Sequence, residues 1–204
     1  MSNQSMKMSE LISALSHALD MTEGQPPGHC IRTCWIGMQL GKAIDLQADQ
    51  LWELYYTTLL KDLGSSSNAA RICKLYSTDD LNFKHDFKSV DGSMKQVLNF
   101  VLQHTGVQKG LAERFKQTLS VMRNGTKWSN ELMQTRCERG ADIAKQLRFN
   151  ESVAEGIRGL DEHWNGGGQP YGLEGEAISM YSRIALMSQV IDVFFSQVQT
   201  DMPA

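Results

Sequence analysis

The sequence contains no long apolar run. No segment approaches the roughly 20 apolar residues that a membrane-spanning helix needs. The N-terminal segment MSNQSMKMSELISALSHALD also lacks the apolar core and small-residue cleavage site of a secretory signal. Basic residues are too few to give a cationic surface, since the net charge is −3, and this disfavours general nucleic-acid binding. We therefore predict a cytoplasmic protein without a membrane segment.

Cysteine is scarce as well. The four cysteines include no Cys-x-x-Cys pair and no doublets with the spacing of a zinc site. Cys30 and Cys34 lie four residues apart on a predicted helix, and we interpret them as core side chains. Thiols without a pairing pattern are typical of a reducing compartment, which agrees with the cytoplasmic prediction.

Alternation of apolar and polar residues with a period of two is also missing, so no strand is predicted. Apolar residues instead recur at spacings of three and four, which predicts an all-α, multi-helix bundle. We expect a single domain over residues 1–204, which could be part of a longer chain. The predicted helices cover residues 9–20, 29–44, 48–62, 93–104, 108–123, 128–147, 151–162 and 176–198.

Three segments together carry a family resemblance. They are GHCIRT at 28–33, LLKDLG at 59–64 and DEHWNGGGQPYGL at 161–173, and the later helix sequence SRIALMSQVIDVF agrees with them. In this order they resemble HD-GYP domains of the HD metal-dependent phosphohydrolase superfamily, over about residues 10–198. The resemblance implies an HD-domain-like helical bundle and, in many members, hydrolysis of cyclic di-GMP.

The resemblance also implies a set of metal ligands, of which only part is kept. His29, Asp62 and Asp161 match ligand positions and are the candidate metal ligands. Lys61 and Arg136 stand where the family has ligand histidines, and the aspartate expected in the last helix aligns with Gln189. We interpret this as a degenerate site that holds either no cofactor or a single divalent metal ion (iron, manganese or magnesium) at low occupancy.

The two substituted cations lead to a hypothesis about charge. Lys61 and Arg136 are positively charged at neutral pH, so they repel a divalent cation and can neutralise Asp62, Asp161 or Glu162 instead. Protein cations would then have replaced the charge of the metal. Lys61, Asp62 and Arg136 are also the candidate catalytic residues. Lys61 and Arg136 are cations that can stabilise the charge of a transferring phosphoryl group, and Asp62 would hold the metal of an altered site.

The loop 161–173 supplies the candidate ligand-binding residues, which are Glu162, His163, Trp164, Gly168 and Pro170. Trp164 is either a platform for a stacked base or an anchor in the core. The glycines at 166–168 either admit a phosphate to backbone amides or form a flexible connector. In HD-GYP terms Gly168 and Pro170 are kept, and Gln169 stands at the tyrosine position.

Three functions remain open on the sequence. The main prediction is a catalytically weak or inactive regulatory module that binds a cyclic dinucleotide or a protein signalling partner. The first alternative is a metal-dependent phosphodiesterase that acts on a cyclic dinucleotide at an altered, mononuclear site. The second alternative is a helical oligomerisation unit, with a homodimer through the apolar C-terminal helix.

Overall fold

A computed structural model describes residues 8–65 and 111–201 of the chain. Its regular structure is helical, as the spacing of apolar residues predicts, apart from one isolated bridge between Asn165 and Glu174. The predicted helix over 93–104 lies outside the described residues. Six α-helices and one 3-10 turn are present in the described part: α1 (Met8–Thr22), α2 (His29–Ala43), α3 (Ala48–Leu59), α4 (Leu111–Gln146), α5 (Glu151–Arg158), a 3-10 turn (Gly175–Ala177) and α6 (Met180–Asp201).

Helix α4 corrects the sequence prediction at one point. Helices were predicted over 108–123 and 128–147, with a break at Asn124 and Gly125, but α4 continues through both residues. An isolated glycine costs a helix only about 1 kcal/mol relative to alanine, so it does not end a helix by itself. Helix α3 is shorter than the predicted helix over 48–62, because it ends at Leu59 and the residues up to Gly64 form turns.

The start of α2 is held by the end of α1. The Asp20 carboxylate is buried and accepts hydrogen bonds from the backbone N–H groups of Gly28 (2.7 Å) and Cys30 (2.8 Å). These N–H groups belong to the first turn of a helix, where no intrahelical partner is available. Gly28 has a φ of 85°, which a glycine adopts without strain. The turn therefore directs His29 inward at the first residue of α2.

Apolar side chains from five helices form the main core. Cys30 and Cys34 are buried and unpaired, which confirms their prediction as core side chains. A smaller cluster of Leu54, Tyr181 and Ile184 joins α3 to α6. The main cluster contains Ile12, Leu19, Cys30, Cys34, Leu59, Leu60, Leu63, Ala141, Ala144, Val153, Ala154 and Ile157.

A close backbone approach brings the turn after α3 onto α4. A Cβ atom added to Gly64 would lie 1.9 Å from the carbonyl oxygen of Arg136, so only glycine fits at this position. On the α4 side Gly140 also lies against Gly64. This contact sets the turn that carries Lys61 and Asp62 beside the helix that carries Arg136. None of the described helices is long and apolar enough to cross a bilayer.

Candidate functional site

Lys61 and Asp62 form a buried ion pair in the turn after α3. The Lys61 ammonium contacts Asp62 Oδ2, and the side chains are 0% and 1% exposed. The Cys30 thiol lies 3.8 Å from the same carboxylate oxygen. Burial lowers the pKa of Lys61, but the negative charges of Asp62 and Glu23 and the hydrogen bond to Asp62 outweigh burial and raise the pKa above its ordinary value. Lys61 is therefore protonated at neutral pH.

Arg136 and Asp161 form a second ion pair, between α4 and the loop that follows α5. The Arg136 guanidinium contacts Asp161 Oδ2, and each side chain is 17% exposed. Arg136 Nη1 also lies 3.9 Å from Glu23 Oε2. Burial lowers the pKa of Arg136, but the negative charges of Asp161, Glu23 and Asp62 outweigh burial, so the pKa lies above its ordinary value.

The two pairs belong to one group of charges, which we call the charge cluster: Glu23, Lys61, Asp62, Arg136 and Asp161. The negative charge of Glu23 raises the pKa of both cations, and that of Asp62 raises the pKa of Arg136 as well as that of Lys61. The cluster contains three carboxylates and two cations, drawn from the end of α1, the turn after α3, α4 and the loop after α5. Such a desolvated group is stable only when opposite charges are paired.

His29 lies in a separate ion network with α6. Its Nδ1 atom is 2.7 Å from Asp192 Oδ2, and Arg32 Nε donates to Asp192 Oδ1 at 2.6 Å. Burial raises the pKa of Asp192, but the hydrogen bonds from His29 and Arg32 outweigh burial, and the pKa falls below its ordinary value.

Asp192 is not among the predicted site residues. The family resemblance places the aspartate of the last helix at Gln189, whereas Asp192 lies three residues later. The signal that could have found it is an acid alone within the apolar stretch Val190 to Phe195.

The described residues do not fit a metal centre. Within residues 8–65 and 111–201 there is no group of three or more His, Cys, Asp and Glu side chains arranged to hold a metal ion. Asp62 and Asp161 each contact a protein cation, which a divalent metal would have to displace. The ligand set of His29, Asp62 and Asp161 therefore stays a prediction.

Glu162 organises the loop 161–173. Its side chain is buried, and its two carboxylate oxygens accept hydrogen bonds from the backbone N–H groups of Tyr171 (2.7 Å) and Leu173 (2.9 Å). A further hydrogen bond joins Gln169 N to Asp161 O at 3.0 Å. In this structure Glu162 thus holds the loop in shape.

Gly168 and Pro170 lie inside the same loop. A Cβ atom at Gly168 would lie 2.1 Å from the backbone nitrogen of His163, so the loop packs back on itself at this glycine. This packing argues against the interpretation of Gly168 as part of a flexible connector. Pro170 is half-buried and follows a cis peptide bond.

His163 and Trp164 are on the surface of the loop. Trp164 is 60% exposed, so its interpretation as a core anchor is wrong. The guanidinium carbon of Arg183, near the start of α6, lies 5.4 Å from the centroid of the Trp164 ring. His163 is exposed beside it.

Comparisons with known proteins place the chain among related domains. Residues 110–194 match the HD domain family. The 3′3′-cGAMP-specific phosphodiesterase 3 of Vibrio cholerae is 56% identical over 187 residues, which are 92% of this chain and 41% of that protein. These matches support the assignment of this chain to the HD superfamily. A crystal structure of cyclic GMP-AMP-specific phosphodiesterases of V. cholerae matches 93% of the chain and 41% of its own, with a TM-score of 0.64 and 46% identity.

The comparisons establish three points about the fold, the length and the activity. The predicted all-α, HD-domain-like fold is confirmed by the solved structure. The chain spans about 41% of the length of the relatives it matches. The similarity to a phosphodiesterase supports the enzymatic alternative better than the main prediction of an inactive module. The degenerate character of the site is a sequence-based interpretation that the comparisons do not address.

Proposed function

We propose that this chain is a phosphodiesterase domain that acts on a cyclic dinucleotide, with 3′3′-cGAMP as the leading substrate. The observation that carries the proposal is 56% identity, over 92% of the chain, to a protein named as a 3′3′-cGAMP-specific phosphodiesterase. The loop 161–173 supports it, because a buried carboxylate fixes its backbone and leaves aromatic side chains at the surface.

The charge cluster offers cations for a phosphate group. Hydrolysis of a phosphodiester requires positive charge placed against the phosphoryl oxygens. Arg136 is the partly exposed cation of the cluster, at 17%, whereas Lys61 is fully enclosed. We assign Arg136 to direct contact with the phosphate. Lys61 neutralises and positions Asp62 inside the protein.

A turnover assay tests the proposal. The 204-residue chain is incubated with 3′3′-cGAMP in Mn²⁺ or Fe²⁺, and the linear product is measured by chromatography. We expect turnover that falls about 100-fold or more in Arg136→Gln, as for the loss of a positioned cation. Arg139→Gln removes an exposed arginine of the same helix and should leave turnover unchanged. If no product forms with Mn²⁺ and none forms with Fe²⁺, the proposal is contradicted.

A regulatory module that binds without hydrolysis is the second candidate. The observation that favours it is the pairing of Asp62 and Asp161 with protein cations, together with the lack of a metal-binding group in the part of the chain that the structure describes. Its ligand would be a cyclic dinucleotide or a protein signalling partner. Binding of 3′3′-cGAMP by equilibrium dialysis without any product would favour this candidate over hydrolysis.

An oligomerisation unit is the third candidate. Phe194 and Phe195 are 64% and 56% exposed on α6, and Met187 is 54% exposed on the same helix. Exposed apolar faces of this kind mark interaction surfaces. A homodimer through α6 predicts a mass of twice 22.9 kDa in light scattering, and a Phe194→Ser variant that becomes a monomer. A strictly monomeric wild-type chain would contradict this candidate.

A further inference from the structure

The loop presents Trp164 to solvent in a fixed position. The residue is 60% exposed, although the indole is the largest apolar side chain. Its carbonyl oxygen accepts a hydrogen bond from Gly175 N at 3.0 Å, and the next residue, Asn165, bridges to Glu174. The buried Glu162 holds the same loop from within. These contacts fix the backbone at Trp164, so a ligand that stacks on the indole has only the side-chain torsions of this residue to order.

Arg183 lies over this ring, and no carboxylate of residues 8–65 and 111–201 forms an ion pair with it. Its guanidinium carbon lies 5.4 Å from the ring centroid, within the range of a cation–π contact. Its Nε atom is buried and has no hydrogen-bond partner among the described residues. By contrast, Arg32, Arg136 and Arg158 each pair with a carboxylate. The charge of Arg183 is therefore not neutralised by a carboxylate of the described residues, and its terminal nitrogens can donate to an anion.

We propose that Trp164 and Arg183 form a nucleotide subsite, in which the indole stacks on a purine base and Arg183 donates hydrogen bonds to a phosphate. This inference rests on the proposed function, since it locates one half of a cyclic dinucleotide on the domain. Aromatic side chains stack on any base, so this subsite accepts guanine or adenine. The planar guanidinium matches the geometry of a phosphate.

Equilibrium binding of 3′3′-cGAMP to the whole 204-residue chain tests the subsite. Trp164→Ala should raise Kd about 10-fold or more, as the loss of one stacked base does. Trp164→Phe keeps an aromatic face and should raise Kd less than the alanine variant. Arg183→Gln should raise Kd about 10-fold and weaken the salt dependence of binding, whereas Arg183→Lys should retain that salt dependence.

The controls use residues of the same type at other places on the surface. Trp35 is 65% exposed on α2, and Trp35→Ala should leave Kd unchanged. Arg139→Gln serves in the same way for the arginine. Circular dichroism verifies that each variant has the helix content of the wild-type chain. An equal rise of Kd in Trp35→Ala and Trp164→Ala would overturn the subsite.

The outcomes separate this inference from hydrolysis. If the wild-type chain hydrolyses 3′3′-cGAMP and Trp164→Ala leaves both KM and Kd unchanged, the subsite is wrong and hydrolysis stands. If the chain binds 3′3′-cGAMP through Trp164 without turnover, the subsite stands and hydrolysis is wrong. If the wild-type chain neither binds nor cleaves it, both are wrong. A Trp164–Arg183 contact that serves only loop packing gives the first of these results.

Discussion

Two lysine side chains show how burial determines the contribution of an ion pair. Lys61 and Asp62 are 0% and 1% exposed, whereas Lys145 and Glu151 are 42% and 56% exposed at 2.8 Å. In water the attraction is weakened by the solvent and by the entropy lost on ordering both side chains. In the interior, loss of one partner exposes the other charge to a low dielectric constant.

Replacement of Lys61 by methionine should therefore lower the free energy of unfolding by about 3–5 kcal/mol, because Asp62 loses its cation inside the protein. The matched variant Lys145→Met removes an exposed pair and should cost less than about 1 kcal/mol. Urea denaturation followed by circular dichroism measures both. Equal losses in the two variants would show that the Lys61–Asp62 pair contributes no more than a surface pair.

The buried thiols of the described residues should be unreactive. Burial, together with the charge of Asp161, raises the pKa of Cys137 to about 12, and burial raises the pKa of Cys30 and Cys34 as well. Because only the thiolate is alkylated, iodoacetamide at pH 8 should label Cys137 about 100-fold more slowly in the native chain than in urea. Peptide mapping by mass spectrometry reads each cysteine separately. Native labelling of Cys137 at the denatured rate would contradict its enclosure.

At the scale of elements, one glycine contact joins the turn after α3 to α4. Gly64 approaches the backbone of Arg136 so closely that a Cβ atom would lie 1.9 Å from a carbonyl oxygen. No side-chain rotation relieves a contact with backbone, so the two elements would have to move apart. This approach sets the distance between the two ion pairs of the charge cluster, since the Lys61–Asp62 pair lies on one side of it and Arg136 on the other.

Gly64→Ala should lower the free energy of unfolding by about 3 kcal/mol or more through this overpacking. It should also reduce turnover or ligand binding, because the cations lose their relative position. Gly167→Ala is the control, since its Cβ would meet only the Asn165 side chain at 3.1 Å on an exposed loop. A stability of Gly64→Ala equal to that of Gly167→Ala, measured by thermal unfolding, would show that the contact yields easily.

At the scale of the whole molecule, the charge cluster brings together side chains from four parts of the chain. If protein cations supply the charge, chelation should leave the folded state unchanged. We expect the Tm to shift by less than ~1 °C when EDTA is added to protein purified without chelator. A metal at 100 times its Kd contributes about 2.7 kcal/mol, so its removal would lower the Tm by about 5 °C or more. Differential scanning fluorimetry and elemental analysis distinguish the two results.

The sequence predicts the fold better than it predicts the site, for a physical reason. Apolar residues at spacings of three and four identify helices from local information alone, and α1, α2 and α3 begin within a residue of their predicted starts. The unbroken course of α4 through Gly125 depends on the balance between a local cost and the rest of the helix, which the pattern does not contain.

The partners of site residues depend on contacts between distant segments. Asp192 meets His29 across 163 positions of sequence, and Arg136 meets Asp161 across 25. The exposure of Trp164 and the role of Glu162 as an acceptor for backbone N–H groups follow from the folded loop, since an isolated Asp-Glu-His-Trp segment is compatible with either a buried or an exposed indole. Charge and spacing identified the residues, and the fold determines what each of them contacts.

The carboxylate of Asp20 makes the first two helices a single unit. It belongs to α1, yet it completes the hydrogen bonding of Gly28 and Cys30 at the opening of α2. Anyone who shortens this domain from its amino end should therefore keep Asp20, even though α1 lies far from the loop in sequence. Without Asp20 the first turn of α2 would lose two hydrogen bonds, and the buried side chain of His29 would lose its fixed orientation.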